Sequence, residues 1–174
     1  MHNKIIAIDG HDGVGKTTLA QLLAKRLNGT YIRPFANEFG SKLLELADNK
    51  NYDELIRFAS NRFKQLYILY TDQTLIFDRH WMTVLSLIPS NYWGRWQDFQ
   101  DTILITVDDI NTIKSRLSTR NEKTQDDDYH AKYLTIYENL AHHYNTLVIK
   151  SDVLNPDEIV NRIIAFQNSN KTSQ

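Results

Sequence analysis

Five short runs of apolar and β-branched residues, at 5–9, 30–33, 74–78, 102–107 and 146–149, recur along the chain. Each is too short for a helix and suits a pleated, buried surface, so each predicts a strand. Between them apolar residues return every three or four positions, which predicts helices over 17–27, 40–48, 53–71, 80–88, 109–120, 130–143 and 156–166. The clearest stripes are Leu55, Ala59, Phe63, Leu66 and Tyr70, and Ile110, Ile113 and Leu117. Pro156 after Asn155, with Asp157 and Glu158 next, is a favourable start for the last helix. Strands alternating with helices make an α/β fold with a parallel sheet flanked by helices. In such sheets ligands sit beyond the carboxyl ends of the strands, where Asp9, Arg33, Asp78, Arg79 and Asp108 all fall.

The first strand runs directly into Gly10-His11-Asp12-Gly13-Val14-Gly15-Lys16-Thr17, a complete G-x-x-x-x-G-K-[ST] phosphate loop, and the loop opens a helix at Thr17 and Thr18. Backbone N–H groups of the turn and of the first helical turn converge on one spot and bind an anion without side chains. Lys16 reaches the β- and γ-phosphates of ATP in such a loop, and Thr17 holds Mg²⁺. A glycine-rich hairpin beside a core helix would need neither residue.

The 174 residues suit a single domain with one sizeable core. A formal net charge of −1 supplies no basic field for nucleic acid. With no cysteine, disulfides and thiolate metal sites are excluded, in accord with a cytoplasmic setting. No apolar run approaches a membrane span, and a strand three residues from the start leaves no room for a signal peptide. The stretch 168–174 is polar and aperiodic, and it reads as a disordered tail.

Further chemistry is suggested by spacing. Phe58 and Arg62 lie four apart on a helix and share a face, so a ring for stacking and a fork of donors can meet one flat ligand; a core Phe58 and a surface Arg62 would look the same. Asp78 emerges from the buried run Leu75-Ile76-Phe77, beside Arg79, which can grip a phosphate; capping the next helix is the competing role for Asp78. His80 has no second histidine at ligand spacing beside it and reads as a packing residue. Arg116 and Arg120 form the cationic face of an amphipathic helix, and residues 121–128 contain no apolar side chain, which suits a lid that closes over ATP. Asp126-Asp127-Asp128 reads as a solvated acidic run before a helix rather than a metal site. Trp81, Tyr92, Trp93 and Trp96 are open to three roles: a homodimer interface, core packing or a lid hinge.

Four segments in this order resemble the thymidylate kinases, P-loop enzymes of nucleotide metabolism: residues 8–18, Phe58-Ala59-Ser60-Asn61-Arg62, Asp78-Arg79-His80, and Arg116 to Arg120 with Tyr137-Glu138-Asn139-Leu140-Ala141 beyond. The resemblance implies a P-loop NTPase fold with a five-stranded sheet of order 2-3-1-4-5 and a helical lid near 116–128, in one domain over 1–167. It implies transfer of the ATP γ-phosphoryl group, with Mg²⁺, to a deoxynucleoside monophosphate, dTMP first. By the same resemblance Lys16, Asp78, Arg79, Arg116 and Arg120 are catalytic, and Gly10, His11, Asp12, Gly13, Val14, Gly15, Lys16, Thr17 and Thr18 hold ATP. Arg33, Phe58, Arg62, Asp78 and Arg79 hold the acceptor, and Thr17 and Asp78 the metal.

The chain departs from the family in three places. Tyr31-Ile32-Arg33-Pro34-Phe35 stands for the usual Arg-Glu-Pro-Gly-Gly-Thr, Val84 and Leu87 stand where many members carry an Asn and a Tyr, and a second lid arginine is either replaced by Gln125 or displaced. A deoxynucleoside kinase is the alternative. A nucleoside hydroxyl benefits from a carboxylate base, here Asp9 or Glu38, whereas a monophosphate oxygen is already an anionic nucleophile. Related nucleoside kinases place a Glu after strand two and Glu-Arg after strand three, where this chain has Arg33-Pro34 and Asp78-Arg79. A nucleotide-binding protein without catalysis is a third alternative, against which the intact Lys16, Thr17 and Asp78 argue.

Overall fold

The computed structural model describes residues 4–169. Strand β1, Lys4–Asp9, leads through the glycine-rich turn into helix α1, Lys16–Leu27, and then into β2, Thr30–Ile32. Helices α2, Glu38–Asp48, and α3, Tyr52–Leu69, pack on each other ahead of β3, Thr74–Asp78. Next come α4, Trp81–Ser86, a 3-10 turn at Ser90–Arg95, and β4, Thr102–Thr106. Helices α5, Ile110–Thr119, and α6, Asp127–His143, precede β5, Leu147–Lys150, and α7, Pro156–Ser169. All pairings are parallel and the order is β2-β3-β1-β4-β5, as expected.

Register pairs Ile6 with Ile76 and Ala7 with Phe77, so the two-residue period sorts the strands into two faces. Ile6, Ile8, Ile76, Ile103 and Ile105 meet Leu19 and Leu23 of α1, Ile113 and Leu117 of α5, and Ile159 and Ile163 of α7. Ala7, Leu75, Phe77 and Leu104 meet Leu43 and Leu46 of α2, the stripe Leu55, Ala59, Phe63 and Leu66 of α3, and Leu140 of α6. Each fully buried large apolar side chain contributes about 1.5–3 kcal/mol. The carboxyl edge of the sheet is therefore a rigid platform, and β1 and β3 lie at its centre.

Differences from the expected elements have local causes. Helix α6 starts at Asp127, three residues before the apolar period, because Asp126 accepts from the Tyr129 N–H at 2.8 Å and Asp127 and Asp128 suit the positive helix end. Helix α4 covers only part of 80–88; Pro89 cannot continue a helix, and the 3-10 turn after it had no sequence signal. Trp81 and Trp96 are core residues whose indole N–H groups donate to Gln100 O at 3.2 Å and Asp98 O at 2.7 Å, and Tyr92 and Trp93 pack against the same core. Of the roles open to that set, core packing is the one observed. Helix α7 runs through Ser169, two residues into the stretch expected to be disordered; 170–174 and 1–3 lie outside the described residues. Among the described residues no helix is long and apolar enough to cross a membrane.

Candidate active site

The phosphate loop is built where β1 ends. A Cβ on Gly10 would lie 2.2 Å from Ile105 O on the neighbouring strand, and Gly15 enters α1 with φ +97°, so both positions require glycine. Lys16 is 5% exposed and donates to His11 O at 2.6 Å. Burial, then repulsion from Arg79, brings its ammonium down to about 8. From behind, Ser151 donates to Val14 O at 2.6 Å, and Arg116 donates to Gly13 O at 3.3 Å and to Ser151 Oγ and O at 2.9 and 2.8 Å. Arg116 thus grips the loop backbone, and it does not line the phosphate cavity described below.

The carboxylates at the strand ends divide their roles. Asp9, fully buried, accepts at Oδ2 from the N–H groups of His80 (2.9 Å) and Met82 (3.2 Å) and at Oδ1 from the Thr83 hydroxyl (2.6 Å). Burial raises its carboxyl above the usual range against the pull of these donors. The strand-end Asp that satisfies the start of α4 is therefore Asp9, from a different strand, and not Asp78. Asp78 Oδ2 accepts from Thr17 Oγ1 at 2.6 Å and from the Tyr31 hydroxyl at 3.0 Å, with Arg33 Nε at 3.9 Å. Burial and the Asp78 carboxylate push the Tyr31 hydroxyl well above its ordinary value.

Arg79 carries its guanidinium into the middle of the site. Its φ of +81° is a left-handed conformation that a non-glycine residue rarely adopts. It is held by an ion pair to Asp12 and by contacts of Nη1 to Thr83 Oγ1 (3.2 Å) and Tyr137 OH (3.4 Å). Burial would raise the Asp12 carboxyl, but Arg79 and then Lys16 outweigh it and bring it to about 2.

Two cavities meet at the Asp12–Arg79 pair. One, of about 120 Å³, is walled by Gly13, Gly15, Lys16, Thr17, Thr18, Arg33, Asp78, Arg120 and Glu122. Arg120 reaches it while paired with Glu122 at 3.3 Å. The other, of about 250 Å³, is lined by Phe35, Gly40, Leu43 and Leu44, by Thr83, Ser86 and Leu87, by Tyr129, Tyr133 and Tyr137 of α6, and by His11, which faces this cavity rather than the polar one. The polar cavity suits phosphates, and the aromatic one suits a flat organic group.

Phe58 and Arg62 line neither cavity. Phe39 of α2 stands with them instead: the Arg62 guanidinium lies 3.7 Å from the centre of the Phe39 ring, the Phe39 and Phe58 rings stack at 6.2 Å, and Arg62 Nε donates to Pro34 O at 3.2 Å. Glu38 is exposed and lines neither cavity, and Asp108 is paired with Lys150 at 2.7 Å. His80 is buried, stacked 3.8 Å from Phe63 and bonded to the Tyr67 hydroxyl at 2.8 Å, and burial lowers it to about 3, a packing residue as expected. Sequence reasoning missed Tyr31, Phe39, Thr83, Tyr129, Tyr133 and His130. The i, i+4, i+8 spacing of Tyr129, Tyr133 and Tyr137 was a visible signal of a shared face. The others carry no local signal.

Known proteins match this chain over most of its length. The thymidylate kinase family model matches residues 8–164. The probable thymidylate kinase of Methanocaldococcus jannaschii is 25% identical over 182 residues, covering 94% of this chain and 95% of that protein. Among solved structures, deoxyadenosine kinase from M. mycoides, with the products dCMP and dCDP bound, superposes with TM-score 0.64 at 20% identity, covering 95% of this chain and 99% of that one. The thymidylate kinase of Candida albicans superposes with TM-score 0.69 at 15% identity, covering 99% and 94%.

Proposed function

The chain belongs to the thymidylate kinase family of ATP-using nucleotide kinases, and on that premise we propose that it transfers the γ-phosphoryl group of ATP to dTMP, in the cytoplasm. The observation that carries the proposal is the pair of cavities sharing the Asp12–Arg79 wall. A donor nucleotide with its phosphates in the polar cavity and an acceptor in the aromatic one bring their reacting phosphates together at Arg79. Phosphoryl transfer needs positioning and charge stabilisation more than covalent chemistry, and the groups assembled here are of that kind.

In this reading Lys16 and the loop N–H groups hold the donor phosphates, and Arg120 approaches from the lid side. Arg79 and Arg33 hold the acceptor phosphate, and the base lies against the tyrosines of α6 or in the slot of Phe58 and Arg62 once Phe39 moves. Thr17 Oγ1 and Asp78 Oδ2, 2.6 Å apart, are hard oxygen donors that fit Mg²⁺, which takes one or two protein ligands together with phosphates. Bound there, the metal would neutralise charge on the β- and γ-phosphates. Among the described residues no group of three or more acidic, His or Cys side chains offers a separate metal site.

The state of the carboxylates favours a monophosphate over a nucleoside. Asp9 accepts three hydrogen bonds from the start of α4, and Asp12, at about 2, is a weak base for a sugar hydroxyl. A monophosphate oxygen needs no base. A coupled ADP-release assay with ATP and Mg²⁺ across dTMP, dCMP, dAMP, thymidine and deoxyadenosine tests this. The expected result is fastest turnover with dTMP; turnover of nucleosides alone would transfer the assignment to a deoxynucleoside kinase.

A further inference from the structure

Two histidines far apart in sequence are bonded beneath the lid. His11 is the second residue of the phosphate loop and 3% exposed; His130, on the first turns of α6, is 1% exposed. His11 Nε2 and His130 Nδ1 are 2.8 Å apart, and His130 Nε2 lies 3.0 Å from Thr124 Oγ1 in the loop between α5 and α6. The Thr124 hydroxyl donates to Gln125 O at 3.2 Å. The arrangement that satisfies all of these contacts together has His130 Nε2 donating to Thr124, its Nδ1 accepting, and His11 Nε2 donating to Nδ1. Burial, partly opposed by Asp12, keeps the His11 ring neutral with a pKa of about 4, the form this pattern requires. The ring also stacks on Tyr133, with centroids 5.6 Å apart and planes at 4°.

The backbone of His11 continues the chain of contacts. Its carbonyl accepts one of the three N–H bonds of the Lys16 ammonium at 2.6 Å, which leaves two for phosphate oxygens. Thr124, His130, His11 and Lys16 therefore form an unbroken series from the lid loop to the phosphate-loop lysine.

We propose that His130 is a positioning residue for phosphoryl transfer: through His11 it sets the place of the Lys16 ammonium, and through Thr124 it couples that place to the position of the lid. The proposal rests on the reading of the chain as a phosphoryl-transfer enzyme. A displacement of about 1 Å at a reacting group costs about 100-fold in rate, so a second-hand tether of this kind has a measurable effect. His11 and Tyr133 also line the acceptor cavity, so the coupling is read in kcat at saturating acceptor and in acceptor-free ATP hydrolysis, neither of which depends on acceptor affinity.

The test is steady-state kinetics of His130→Ala, His130→Asn and Thr124→Val, with unfolding midpoints and acceptor-free ATP hydrolysis measured in parallel, and long-range ¹H–¹⁵N NMR of the wild-type imidazoles. The amide oxygen of Asn can accept from His11 Nε2 as Nδ1 does, but it does not reach Thr124. The expected order at saturating acceptor is a kcat loss of about 10- to 100-fold for His130→Ala and of about 3- to 10-fold for both His130→Asn and Thr124→Val, with acceptor-free ATP hydrolysis falling in the same order. NMR should show both rings protonated on Nε2 alone. Equal losses in the Ala and Asn variants, wild-type kcat in Thr124→Val, or a proton on His130 Nδ1 would each overturn the proposal. Thr124 is exposed, so its variant and the wild-type spectrum decide the matter even if His130→Ala does not fold. A wild-type chain that phosphorylates no nucleotide would refute the enzymatic reading instead, while hydrolysis and the NMR pattern would still report on the coupling.

Discussion

Replacing Asp9 separates its role as a helix cap from the role of a catalytic base. Asp9→Ala would leave the buried N–H groups of His80 and Met82 without an acceptor and remove the partner of the Thr83 hydroxyl. Each stranded buried donor costs about 1–3 kcal/mol. Part of this is offset, because burial raises the Asp9 carboxyl and its removal relieves that desolvation. The expected net loss is on the order of 3–4 kcal/mol, or roughly 6–16 °C in the melting midpoint of a chain this size. In Asp9→Asn the amide oxygen can take over the two backbone donors while its NH₂ turns to Thr83 Oγ1, which can still donate to Tyr137 OH at 3.1 Å. That variant should lose only about 1–2 kcal/mol, the difference between a charged and a neutral acceptor. Equilibrium urea unfolding of the three proteins measures both values, and turnover is compared at a temperature where all are folded. Two results would refute the reasoning: an alanine variant as stable as the wild type, or an asparagine variant that stays folded yet loses about 1000-fold in kcat, which would make the carboxylate a base.

Three further outcomes follow from other contacts. Phe39→Ala should lower the KM for dTMP by opening the slot between Phe58 and Arg62, whereas Arg62→Ala should raise it by an amount equivalent to about 1–3 kcal/mol; a higher KM in Phe39→Ala would mean that the ring is part of the binding wall. Arg120→Ala should depress kcat by about 10-fold or more with dTMP affinity unchanged, while Arg116→Ala should chiefly lower stability, by about 1–2 kcal/mol, because its donors serve Gly13 O and Ser151; the opposite division in kinetics and urea unfolding would reverse the two assignments. Stability should fall with acid between about pH 6.5 and about 4, because burial holds His11 at about 4 and His80 at about 3 while the unfolded chain protonates them near 6.5 and so binds more protons. Each histidine contributes a slope of up to about 1.4 kcal/mol per pH unit in that window, partly offset by the raised Asp9 carboxyl; His80→Phe should remove about half of the slope, and a pH-independent urea midpoint would exclude the effect.

Features set by neighbours in sequence are legible in the chain itself. The strands show as short apolar runs, α3 as the stripe Leu55, Ala59, Phe63 and Leu66, and the phosphate loop as one contiguous motif whose glycines are demanded by local backbone geometry. Sheet order could be expected because those local elements matched a known arrangement, and the observed β2-β3-β1-β4-β5 order agrees. Helix ends were less legible: the start of α6 depends on one capping carboxylate, which leaves no trace in the apolar period.

The division of labour among the polar groups was decided by the tertiary structure. An aspartate at a strand end can cap, ligate or act as a base, and its neighbours in sequence do not say which. Asp9 became a cap because the β1–β3 pairing brings the start of α4 over it, 71 to 74 residues away, and Asp78 was left to Thr17 and Tyr31. Arg116 and Arg120 look alike on one helix face, yet one turn of helix sends the first beneath the phosphate loop and the second into the cavity above it. His11 finds His130 across 119 residues of chain, and Phe39 finds Arg62 only because α2 lies on α3. The period of apolar residues determined which segments would pack together; the directions in which their polar side chains leave the packed elements, and hence which charges meet, arose only when the layers closed.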